Sequence, residues 1–148
     1  MKKKHLQNKK LQRGQSLVEL AISLTFILLL LSGAVTFGMA YFSFLSLNDA
    51  AQEGALYGSL KPDDTVGIRN RVKETSTNPI DLSQLSDSQI AITYSGGICE
   101  DPSSANSLTV TVTYTYQIFM PFISAAIGGN TIPLRGTATD SILTPACH

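Results

Sequence analysis

At 148 residues the chain has room for one modest domain beside a membrane segment, which argues against a multi-domain enzyme. Its formal net charge of zero hides an asymmetry: Lys2, Lys3, Lys4, Lys9, Lys10 and Arg13 crowd the start without an acid, and the remainder sets five bases against eleven acids. With a net charge of −6 after residue 14, that remainder has nothing to neutralise phosphates, so a nucleic-acid partner is excluded for it.

In chain order, residues 1–14 form a basic leader and Gly14 is followed by the uncharged Gln15 and, shortly after, by Glu19. A small residue where a peptidase could cut thus stands just ahead of one acid at the edge of an apolar run. Residues 20–47 contain no charged side chain, and 21–35 are almost continuously Leu, Ile, Ala, Phe and Val. A bilayer core needs about 20 apolar residues in helix, so the run is long enough to span one. A cleaved secretory signal shares the basic start, but its apolar core is only ~7–15 residues, about half of what is present here. Bases precede the span and Asp49 and Glu53 follow it. By the positive-inside rule the N-terminus stays cytoplasmic and the C-terminal part is exported, giving a single-pass protein of the cytoplasmic membrane.

The helical pattern continues past the apolar core (about 20–45), with Leu47, Ala50, Ala51, Ala55 and Leu56 at helical spacing. One helix over 15–58 would exceed about 60 Å, twice the hydrocarbon thickness. Gly58 and then Pro62 mark its expected end. Pro62-Asp63-Asp64 opens a second helix through about Glu74, with acids at the electropositive start and Arg69, Arg71 and Lys73 towards the end. Residues 75–88, rich in Ser, Asp and Gln and containing Asn78-Pro79, read as a loop.

Beyond that loop the period changes to two. Ile90, Ile92 and Tyr94 alternate with Ala91 and Thr93 before Gly96-Gly97. Leu108, Val110, Val112, Tyr114, Tyr116 and Ile118 share one face of the next strand, opposite Thr109, Thr111, Thr113, Thr115 and Gln117, which predicts a sheet with one buried face. After Phe119-Met120-Pro121-Phe122-Ile123 a third strand is expected over 132–142, with Leu134, Gly136 and Ala138 on one side. The expected fold is α+β: a long transmembrane helix continuing into a small exported domain (59–148) with a short helix and a three-stranded antiparallel sheet.

Candidate chemistry is sparse. Glu19 would cost about 2.5–3.5 kcal/mol at the bilayer centre and less at its edge. Two readings stand: it rests at headgroup level, or it pairs with a positive group of a neighbouring copy, such as a freed amino terminus. Cys99 and Cys147 are the only cysteines and both lie on the exported side. A disulfide is the default there, closing a loop that contributes about 3–4 kcal/mol, with two lone thiols as the alternative. Cys147-His148 lacks the second ligand pair of a zinc site, so no metal is expected. Adjacent acids at Asp63-Asp64 and Glu100-Asp101 are read as a helix cap and a solvated turn. No phosphate loop, Ser/His/Asp set or zinc spacing occurs, and neither enzymatic activity nor a cofactor is expected. The small residues Ser32, Gly33, Ala34, Gly38 and Ala40 suit close helix contact in a membrane, against plain lipid exposure.

Gly14-Gln15-Ser16-Leu17-Val18-Glu19-Leu20-Ala21, with its short basic leader and unbroken apolar helix, resembles the processing site of type IV prepilins. The details are most similar to the TadE-like pseudopilins of tight-adherence (Flp) pilus systems. Phe37-Gly38 and Leu47-Asn48-Asp49-Ala50-Ala51-Gln52-Glu53-Gly54-Ala55 resemble that family's motif at the outer end of the membrane helix. Val110-Thr111-Val112-Thr113-Tyr114 and the proline-containing stretch after it look like the family's tail. Thr25 departs from the pattern, standing where many relatives carry a proline. The resemblance is strong over about 13–58 and weaker beyond. It implies cleavage after Gly14 by a prepilin peptidase, Gln15 as the new N-terminus, and Glu19 as the residue that registers it against a neighbour. The implied partners are that peptidase, other Tad/Flp pilins with their assembly platform, and membrane lipid. The alternative is a membrane-anchored extracytoplasmic binding module that never enters a filament.

Overall fold

The computed structural model describes residues 3–99 (3–13 as backbone), 106–118, 124–125, 128–144 and 146. Two compact units divide the chain, Met1–Phe37 and Gly38–His148, and the first helix, α1 (Lys3–Leu60), contributes to both. In the first unit the side chains of α1 from Gly14 onward are mostly exposed, among them Phe26 and Leu30 at 66% and 70%. Residues 14–60 hold a window of mean hydropathy 2.3 with none of it buried, the composition of a segment that crosses a membrane. Two of its hydroxyls turn inward on the backbone: Thr25 Oγ1 donates to the Ala21 carbonyl at 2.8 Å and Thr36 Oγ1 to the Ser32 carbonyl at 3.0 Å. A polar group in an apolar medium needs such a partner.

The second unit is α+β. The end of α1 is followed by α2 (Thr65–Glu74), two 3₁₀ turns (Leu82–Gln84 and Asp87–Gln89), and strands β1 (Ile90–Ser95), β2 (Ser107–Gln117) and β3 (Thr131–Ser141). The strands form an antiparallel meander in the order β1-β2-β3, with Val112 opposite both Ile90 and Gly136. Leu108, Val110 and Val112 are fully buried, as the alternation in β2 predicts. On the outer face Thr109 and Thr139 share a hydroxyl hydrogen bond of 2.7 Å and Thr111 and Thr137 one of 3.4 Å, cross-strand pairs that help fix the register.

The free edge of β3 explains a proline. Ile118 N–H donates to the Asn130 carbonyl at 2.8 Å and Ile142 N–H to the Asn106 carbonyl at 3.0 Å, so by parity the odd residues of β3 turn their backbone groups away from β2. Thr137 N–H accordingly meets Asn48 Oδ1 of α1 at 3.4 Å. Pro133 falls in the same outward set, where its missing N–H leaves the ladder intact.

Two expectations are corrected. Gly58 does not end the first helix, which runs on to Leu60; it is a packing position inside it. Of the residues at helical spacing, Leu47, Ala50, Ala51 and Ala55 are buried while Leu56 is 53% exposed. Residues 75–88 are more than a polar loop: Ile80, Leu82 and Leu85 are buried in the main core, with Asp81 capping the first 3₁₀ turn through Ser83 N–H at 3.0 Å. Isolated apolar residues in a polar stretch carry no periodicity, so nothing local signals their burial. The expected apolar segment 119–123 and the Glu100-Asp101 turn lie outside the described residues.

Candidate functional site

Two stretches of α1 carry the features that stand out in the sequence, one in each unit. At the head, Gly14, Gln15 and Glu19 are exposed on a continuous helix. A Cβ added at Gly14 meets nothing within 4 Å, and the same holds at Gly33 and Gly38. Among the described residues, packing gives no reason for glycine at these positions, and glycine in a helix costs about 1 kcal/mol relative to alanine. Among the described residues no basic side chain pairs with Glu19; the ion pair there is Lys73–Asp87 at 2.7 Å.

The second stretch, from Leu47 to the end of α1, is a seam of close approach. Leu47, Ala50, Ala51, Gly54, Ala55 and Gly58 are buried. A Cβ on Gly54 would lie 2.6 Å from Val72 Cγ2 of α2 and 3.4 Å from Val110 Cγ1 of β2. One on Gly58 would run into Leu108 of β2, and one on Gly136 of β3 into the backbone of Leu47 and Asn48. Here the small residues are demanded by the fold: they let a helix and a sheet meet at backbone distance. The opposite face keeps Asp49, Gln52 and Glu53 exposed, and beside them Thr137, Thr139 and Asp140 of β3 line an open acidic cleft of about 650 Å³.

The junction from α1 to α2 is held by one carboxylate. Asp64 is the N-cap of α2, accepting from Gly67 N–H at 2.8 Å through one oxygen and from the Tyr57 hydroxyl at 2.8 Å through the other. Those two donors, Gly67 first, hold its carboxyl below the usual carboxylate range. The same bond to Asp64 raises the Tyr57 hydroxyl above its ordinary value. Lys61 and Arg71 approach the Tyr57 ring at 5.7 and 5.9 Å from its centroid. Nearby, Tyr94 of β1 donates to the Pro62 carbonyl at 2.6 Å, and Leu143 N–H to that of Ser59 at 2.9 Å. Of these latch residues only the capping acids are signalled by the sequence; a Tyr seven residues before an Asp carries no such signal.

Cys99 is disulfide-bonded, and Cys147 lies outside the described residues. Its neighbour Ala146 donates its N–H to the Ile98 carbonyl at 2.8 Å, which ties the chain end to the segment after β1. Among the described residues no three His, Cys, Asp or Glu side chains gather as a metal ion would require.

A family model described as TadE-like protein matches residues 14–56, less than a third of the chain. The match begins at the exposed glycine and ends within the packing seam. Over this segment the chain is similar to TadE-like proteins, the family that the sequence resemblance names. Comparison with curated proteins and with solved structures found no match for the chain.

Proposed function

We propose that this chain, TadE-like over residues 14–56, is a minor pilin or pseudopilin of a tight-adherence (Flp) pilus assembly system, cut after Gly14 and assembled through α1. The observation that carries the reading is the head of α1. A glycine that no contact among the described residues requires, an exposed carboxylate with no basic partner among them, and an unburied apolar helix follow one another at the point where the family match begins.

Each part has a physical role. The lysine-rich leader holds the N-terminus on the cytoplasmic side while the acidic remainder is exported. Prepilin peptidase acts at the cytoplasmic face, where a glycine offers a backbone without a side chain to obstruct it and loosens the helix locally. Cleavage creates a new ammonium at Gln15. In a stack of helices that ammonium pairs with Glu19 of a neighbour, a charge pair favoured over two separately desolvated ions at the membrane edge. The open positions at Gly33 and Gly38 give neighbouring helices room to approach. Adhesion and secretion are then properties of the assembled system, and the subunit performs no catalysis.

Intact mass of the purified protein tests this. The expected species begins at Gln15, and Gly14→Val is expected to leave Met1 or Lys2 as the terminus. A wild-type chain that keeps its leader when coexpressed with the prepilin peptidase sinks the proposal.

A further inference from the structure

Resting on the reading of α1 as a membrane span, we propose that the second unit is seated on the bilayer, with phospholipid of the outer leaflet filling the cleft between α1 and the Asn78-Pro79 loop. That cleft, about 670 Å³ and open, has Met39, Phe42 and Leu45 along its helix side, Asn78 and Pro79 opposite, and Asp49 at its rim. Along α1 its lining passes from apolar Met39 and Phe42 through Leu45 and Ser46 to Asp49, the profile of lipid at the level where acyl chains meet headgroups.

Three observations favour lipid as the occupant. First, the apolar surface of this part of α1 wraps the helix instead of forming a stripe. At about 100° per residue, Ser43, Leu47, Ala50 and Ala51, all buried, occupy roughly 100° of arc facing the sheet. Exposed Met39, Tyr41, Phe42, Phe44 and Leu45 spread over the other ~220°. A single protein partner covers one stripe; a bilayer covers whatever the fold leaves open.

Second, the crown is aromatic. Tyr41, Phe42 and Phe44 follow an uncharged run, and the first charged residue after it is Asp49, the arrangement of a membrane–water boundary.

Third, the sheet points the same end of the unit towards that boundary. Gly58 faces Leu108, Gly54 faces Val110, and Leu47 faces Gly136, the partner of Val112, so β2 runs antiparallel to α1. Its last residues, with exposed Ile132 opposite Tyr116, therefore lie towards the end of the unit that carries residues 38–45.

The chain contains no tryptophan, which makes a direct test simple. The full-length protein is prepared with one tryptophan at a time, as Leu31→Trp, Asn78→Trp, Pro79→Trp or Thr139→Trp, in phosphatidylcholine vesicles whose acyl chains carry bromine either near the glycerol or near the chain end. Leu31→Trp is expected to lose most of its emission to the deep bromine. Asn78→Trp and Pro79→Trp are expected to lose most of theirs to the shallow one, and Thr139→Trp to lose none. If both loop variants behave like Thr139→Trp while Leu31→Trp is quenched, the span stands and the lipid seat is overturned. Blue-shifted emission from the loop variants that bromine leaves untouched also overturns the lipid seat, since a second copy would then cover the cleft. If Leu31→Trp itself is unquenched, the span reading fails and this proposal fails with it. Two loop positions are used so that a folding defect in one leaves the other to decide.

Discussion

Gly58 of α1 lies against Leu108 of β2 with no room for even a methyl group between them. A helix and a strand that approach this closely gain dense dispersion contact, and the approach depends on the absence of a side chain. Gly58→Ala forces Leu108 and the adjacent Ile68 to shift, and overpacking of this kind costs about 1–3 kcal/mol. Chemical denaturation in detergent should show that loss. The same change at Gly33, where nothing lies within 4 Å, should be neutral or stabilising by up to ~1 kcal/mol, as helix propensity favours alanine. Equal effects at both positions would contradict the seam.

Acid should weaken the α1–α2 junction. The Asp64 carboxyl sits below its unfolded value because Gly67 N–H and the Tyr57 hydroxyl both bond its charged form. A folded pKa that is depressed contributes stability above the unfolded value, about 4, and that contribution disappears as pH falls through the folded pKa. Asp81 and Asp87 are lowered in the same direction, by Ser83 and by Lys73. Thermal melts from pH 7 downward should therefore show Tm falling below about pH 4. Asp64→Asn should flatten part of that fall while lowering Tm at neutral pH, and Tyr57→Phe should do the same to a smaller extent.

The open edge of β3 is guarded by Pro133 and partly covered by Asn48. Restoring an outward N–H with Pro133→Thr offers neighbouring chains a continuous strand edge. Increased self-association by light scattering at unchanged secondary structure is the expected result; an unchanged mass distribution would show that the proline has no guarding role.

Cys99 is disulfide-bonded, and beside it Ala146 N–H meets the Ile98 carbonyl. Reduction, or Cys99→Ser, should lower unfolding free energy by about 2–5 kcal/mol, the usual loss when a small domain loses a native disulfide. Parallel denaturation curves with and without reductant give the number directly.

Glu19→Ala should leave processing and the fold of the second unit intact, since the side chain is exposed at the head of α1, while reducing copurification with the pilus or its assembly platform. Retained piliation and retained pulldown would remove the proposed role of the carboxylate.

The sequence by itself determined the units built from local signals. Charge asymmetry and an uncharged run located the long apolar helix, strict alternation located β2 and its buried face, and Asp64 announced the start of α2, because each depends on residues close in the chain. The head of the candidate site was legible for the same reason: residues 14–19 form a contiguous motif. Only the tertiary structure decided which small residues were structural. Gly14, Gly33, Gly54 and Gly58 look alike in the sequence, yet two face open space and two face α2 and β2 at contact distance. It also drew Ile80, Leu82 and Leu85 into the core, set Asn48 on the edge of β3, and brought Asn78-Pro79 beside Phe42. Those relations join residues tens of positions apart, where long-range packing and no local propensity determines the outcome.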